Sequence, residues 1–111
     1  MQYRKIEEKE NMAGGKGTVT IRHILGDNEL NGKCKLYAQV TIAPGAVLGV
    51  HPHHNETETY YILQGKGLYT DNGKEYEVKA GDITFCEDGS SHGLANTGSE
   101  ELVFMALIIN N

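Results

Sequence analysis

Apolar and polar residues alternate with a period of two along most of this chain, and helical spacing is absent over almost its whole length. "TVTIRHIL" (18–25) sets Val19, Ile21, His23 and Leu25 on one face, and "CKLYAQVTI" (34–42) does the same with Leu36, Ala38, Val40 and Ile42. Each run therefore predicts a strand that buries one side. In "GLYTDNGKEYEV" the pair Asn72-Gly73 stands between two such runs. Both central residues of a type I′ turn need positive φ, so the pair predicts a hairpin. Tyr76 and Val78 should then face in, and Glu75, Glu77 and Lys79 should face water. "KAGDITF" turns at Gly81 into a further strand. The final run, "ELVFMALII", is apolar on both faces, which suits a strand between two layers or in a subunit interface and favours a homodimer. Short strands parted by Gly, Asn and Asp turns predict an all-β sandwich or barrel.

A chain of 111 residues can close one hydrophobic core and is too short for two, so a single domain over 18–111 is expected, preceded by an N-terminal arm or strand at 1–17. Fifteen acidic residues oppose ten basic ones, and no segment gathers Lys and Arg. Nucleic acid is therefore not an expected partner. The N-terminus, "MQYRKIEEKENM", lacks the apolar centre of a signal peptide, and no apolar run approaches the ~20 residues of a membrane helix. A cytoplasmic protein without a membrane partner is expected. Cys34 and Cys86 lie far apart with no CxxC pair and read as free, buried thiols. "AGGKG" (13–17) suggests a phosphate loop only until Glu10 is found where that pattern needs glycine; it reads as a flexible turn.

Chemistry concentrates in "HPHHNETETYYILQG" (51–65). His51 and His53 are two apart, so on a strand both imidazoles project from one face and can converge on one ion, while His54 points away. Glu56 and Glu58 are carboxylate candidates, each having to reach back across the turn "HNE". A further ligand should come from His92 in "EDGSSHGLAN", a Gly/Ser turn entering a strand.

At these residues the chain resembles the cupins. Gly45, His51, His53, Glu58 and Gly65 match every fixed position of the first cupin motif, G(x)5HxH(x)3,4E(x)6G. Gly81, Gly89, His92 and Asn96 match the second, G(x)5PxG(x)2H(x)3N, with Glu87 in place of its proline. That substitution should alter mainly the rigidity of the turn before His92. The resemblance implies a jelly-roll β-barrel of roughly eight strands with a metal inside. It also implies that His51, His53, Glu58 and His92 are the ligands and that His54 and Glu56 are bystanders. Three neutral imidazoles and one carboxylate suit one divalent transition ion, Mn, Fe, Ni or Zn, with two positions open to water, dioxygen or a chelating substrate. Tyr60 and Ile62 share parity with Glu58 and could line the same cavity, which makes Tyr60 the candidate for catalytic proton transfer. His23 and Phe85 read as core residues, and Asn96 as a holder of backbone.

The expected function is that of an enzyme whose metal acts as a Lewis acid on a small polar chelating substrate, in sugar isomerisation or epimerisation or in decarboxylation. The alternatives are an Fe(II) dioxygenase and a non-catalytic barrel that binds or senses a metabolite.

Overall fold

The computed structural model describes residues 2–111. Its strands are β1 (Lys5–Glu10), β2 (Thr18–His23), β3 (Cys34–Ile42), β4 (Val47–Pro52), β5 (Glu56–Gln64), β6 (Lys66–Asp71), β7 (Lys74–Lys79), β8 (Ile83–Cys86), β9 (Ser91–Asn96) and β10 (Leu102–Asn110). They form two antiparallel sheets, one of six strands in the order β1-β2-β3-β10-β5-β8 and one of four in the order β4-β9-β6-β7. The fold is the expected jelly roll, but the sheets face each other as a sandwich and do not close into one hydrogen-bonded barrel. Strands at the sheet ends carry devices that blunt edges: β8 has only four residues, and β1 (KIEEKE) and β7 (KEYEVK) are rich in charge.

Alternation builds the core. Val19 and Ile21 of β2, Ala38, Val40 and Ile42 of β3, and Leu102, Phe104 and Ala106 of β10 meet Leu48, Tyr69 and Leu94 of the smaller sheet in one buried cluster. β10 lies between β3 and β5, so its inner side chains fill the core. Its outer ones, Val103, Met105 and Leu107, remain half-buried. The hairpin forms at Asn72 (φ 48°) and Gly73 (φ 84°), with Asp71 opposite Lys74.

Three inward expectations are corrected. Tyr76 leans on Tyr69 with ring centroids 5.4 Å apart, yet on the edge strand β7 it stays 44% exposed. Phe85 is 53% exposed, because Thr84 and Cys86 take the inner face of β8. His23 is half-buried at the end of β2, where its Nε2 lies 2.7 Å from Glu7 of β1 and away from the cavity. Cys86 is buried and Cys34 half-buried, and both are free. A one-turn helix α1 (Asp27–Leu30), capped by Glu29 on the Gly26 amide at 3.0 Å, was not anticipated by the alternation. Among the described residues no helix is long and apolar enough to cross a membrane.

"AGGKG" has a steric purpose. Lys16 and Val47 exchange both backbone hydrogen bonds, at 2.9 and 2.7 Å, which presses the turn onto β4. A Cβ on Gly15 would stand 1.9 Å from the Val47 carbonyl oxygen, and one on Gly49 would stand 2.1 Å from that of Ala13. Only glycine allows the two backbones to cross so closely.

Candidate metal centre

A β-bulge decides where His51 points. Leu48 pairs with Leu94 and His51 with His92, so β4 has one more residue between these pairs than β9 does. Without it, Leu48 and His51, three apart, would face opposite sides. The bulge turns Val50 out, 56% exposed, and leaves both Leu48 and His51 directed inward. His53 then follows two residues on, just past the end of β4. Glu58 comes from β5 in the opposite sheet, and His92 from β9.

The side chains of His51, His53, Glu58 and His92 converge, with one donor atom of each inside a span of 4.8 Å. Glu58 Oε1 lies 2.9 Å from His53 Nε2, 2.9 Å from His92 Nε2 and 3.9 Å from His51 Nε2. The Nε2 atoms of His53 and His92 are 3.0 Å apart. Adjacent donors around an octahedral ion with bonds of about 2.1 Å stand about 3.0 Å from one another, so the spacing suits a transition ion.

The surroundings of the rings suit it as well. Each Nδ1 has its own partner: the Gly49 carbonyl at 2.7 Å for His51, the Glu56 carboxylate for His53, and the Tyr69 hydroxyl at 2.8 Å for His92. These partners can accept a hydrogen bond from Nδ1, which would turn each Nε2 lone pair to the centre when an ion is bound; without one, Nε2 of His53 and of His92 can donate to Glu58 Oε1, 2.9 Å away. Three such lone pairs and one buried carboxylate would make a donor set that could hold a metal ion.

Glu56 is thus no bystander. It stays out of the converging set, but it is buried at 7% exposure and fixes the ring of His53. Its shared parity with Glu58 on β5 was the available signal. Tyr69 was also missed, and nothing local marks it, since its partner lies on another strand. His54 is exposed, as expected.

The electrostatics follow the same arrangement. Burial acts to raise the pKa of Glu58, but hydrogen bonds from His51, His53 and His92 outweigh it and hold the carboxyl far below its usual range. His92 is pushed down, chiefly by burial, and stays neutral. His53 is pushed up, first by its hydrogen bond to Glu58 and then, against burial, by Glu56. Glu56 ends below its ordinary value because its bonds from His53 and Lys35 exceed the opposing effect of burial.

A cavity of about 310 Å³ opens onto this cluster, walled by apolar residues that include Met12, Leu36, Leu48 and Phe104. His92, fully buried, reaches the centre from behind the wall. Tyr60 lines the cavity; its ring stacks on His92 at 4.9 Å between centroids and its hydroxyl lies 3.4 Å from His92 Nε2. Burial pushes that hydroxyl's pKa well up, so it keeps its proton. Ile62, expected beside Tyr60, belongs to the core instead. Asn96 holds backbone as expected, donating to the Ile42 and Glu100 carbonyls, both at 2.9 Å, and accepting from the Gly98 amide at 2.9 Å.

The family model of the cupin domain matches residues 38–108. An oxalate-binding protein of Thermotoga maritima is 45% identical over 103 residues, which cover 93% of this chain and 85% of that protein. A crystal structure from the same organism, described as a predicted oxalate decarboxylase, superposes with a TM-score of 0.94 at 42% identity and covers 100% of both chains. The oxalate decarboxylase of Bacillus subtilis is 32% identical over 75 residues, 63% of this chain but only 20% of that protein.

Proposed function

This chain belongs to the cupin family, and from that premise we propose that it binds a small chelating dicarboxylate of the oxalate class on one divalent transition ion held by His51, His53, Glu58 and His92. The observation that carries this reading is the convergence of three imidazole nitrogens, each ring held by a partner at Nδ1, and one buried carboxylate beside a small cavity. When bound, such an ion supplies a Lewis acid with open positions for two ligand oxygens. The protein's residues do the rest. Gly49, Glu56 and Tyr69 orient the rings, and apolar walls keep water from competing with the ligand. A volume of about 310 Å³ admits a molecule of few atoms. The similarity to a protein named for binding oxalate supports the ligand class.

A second reading adds turnover, by decarboxylation or isomerisation. It is favoured by the Tyr60 hydroxyl, which keeps a proton within 3.4 Å of His92 Nε2 and so beside the place where substrate oxygens would sit. Its test is product analysis with oxalate, with Tyr60→Phe as the variant. We further propose a homodimer built on the outer face of the larger sheet, where Tyr61, Leu63, Ile83 and Phe85 are exposed beside half-buried Val103, Met105 and Leu107.

The binding reading is tested on protein purified without an affinity tag. Elemental analysis should give about one transition ion per chain, set by the one donor cluster found among the described residues. Calorimetry should show oxalate binding to the metal-loaded form and none to the stripped form. Metal-loaded protein that ignores oxalate overturns the ligand class, and protein that cannot take up a metal overturns the site.

A further inference from the structure

We infer that Lys35 reads the negative charge of the cavity's ligand; the inference rests on the oxalate-class reading above. Strict alternation along β3 turns Leu36, Ala38 and Val40 inward and would send Lys35 to the outer face with Tyr37 and Gln39. The ladder with β10 breaks that rule. Ile108 stands opposite Leu36 and Ile109 opposite Cys34, which leaves Lys35 as the unpaired residue of a β-bulge. Bulges re-aim side chains, and this one brings Lys35 into the wall of the cavity, with Nζ 3.3 Å from Glu56 Oε1.

Lys35 is the one Lys or Arg lining that cavity among the described residues. Its side chain is 63% exposed, against 10% for Glu56. An ion pair whose cation lies mostly in water is weak, so the ammonium can leave Glu56 for an incoming carboxylate at little cost. Glu56 keeps its bond to His53 meanwhile, and the ring stays oriented. A ligand bound on the cluster through one part of a dianion would keep further charge inside the cavity, whose wall carries the partly exposed Lys35. The bulge thus selects dianions over chelators of the same size and lower charge.

The test uses Mn(II)-loaded protein, with oxalate and its monoamide, oxamate, as probes. Lys35→Met keeps the stem and removes the charge. It should weaken oxalate about tenfold, the scale of one lost charge-assisted contact, and oxamate clearly less. Metal stoichiometry should not change, Lys35→Arg should restore most of the affinity, and added salt should weaken oxalate more in the wild type than in Lys35→Met. Equal losses for the two probes, or none for oxalate, overturn the inference. Loss of metal in Lys35→Met also overturns it, by making Lys35 a support for Glu56 and His53. Failure of the metal-loaded wild type to bind oxalate is a separate result, which removes the ligand class itself.

Discussion

Replacing Tyr69 with phenylalanine removes one oxygen from the interior and nothing else. That oxygen lies 2.8 Å from His92 Nδ1, and both residues are fully buried. In the variant the Nδ1–H faces the edge of an apolar ring, and leaving a buried donor without a partner costs about 1–3 kcal/mol. The imidazole can recover a partner by moving its proton to Nε2 and donating to Glu58 Oε1, 2.9 Å away, but this removes the lone pair a metal needs. Metal affinity should therefore fall about 10- to 100-fold, the range seen when a partner behind a ligating histidine is lost. Competition against a chromophoric chelator measures this, and melting of the metal-free protein separates it from a loss of fold. Tyr60→Phe is the control, because its hydroxyl approaches Nε2 and does not hold the ring by Nδ1. An affinity for Tyr69→Phe within about twofold of the wild type, in a variant that melts normally, refutes the idea that Tyr69 fixes the tautomer.

Further expectations separate the parts of the site. Glu58→Gln should lose more metal affinity than Glu56→Gln, whose amide oxygen can still accept from His53 Nδ1; equal losses would mean that the converging carboxylate is misassigned. In the metal-free protein Glu56 and Glu58 titrate below the ordinary 4.5, so their ionised forms stabilise the fold above that pH and the stabilisation is lost as pH falls through their folded pKa values. His53, raised from 6.5, stabilises below that pH and His92, lowered from 6.5, stabilises above it. The His92 contribution grows as pH rises to 6.5 and the His53 contribution fades as pH rises beyond it, so the melting temperature should pass through a maximum near pH 6.5 and drop further below pH 4.5; a monotonic slope across neutrality would show that one histidine dominates. Gly49→Ala puts a methyl 2.1 Å from the Ala13 carbonyl oxygen. It should cost at least ~2 kcal/mol, or roughly 10 °C in Tm, and a variant as stable as the wild type would mean that the turn is easily displaced. Phe85→Ser, at a 53% exposed position, should leave the monomer folded and shift light scattering from dimer to monomer; an unchanged dimer would move the interface elsewhere.

Period-two alternation, the Asn72-Gly73 hairpin and the positions of the four clustered residues were legible because each depends on neighbours along the chain or on spacing along it. What stayed hidden depends on pairing between distant strands. Whether β4 and β3 bulge is decided by their registers with β9 and β10, and those bulges reverse the parity on which any face assignment rests. Leu48 and His51 face the same side for this reason, and Lys35 reaches the cavity for the same one. Tyr76 and Phe85 have the spacing of core residues, yet their strands lie at sheet edges or turn the other face inward, where an apolar residue stays in water. The partners of the histidine Nδ1 atoms divide in the same way. Gly49 and Glu56 lie within three residues of the rings they hold, whereas Tyr69 comes from another strand. Local sequence thus marked the four residues that cluster. Only the tertiary structure determined how each is aimed, because orientation on a strand is set by the register with its partners.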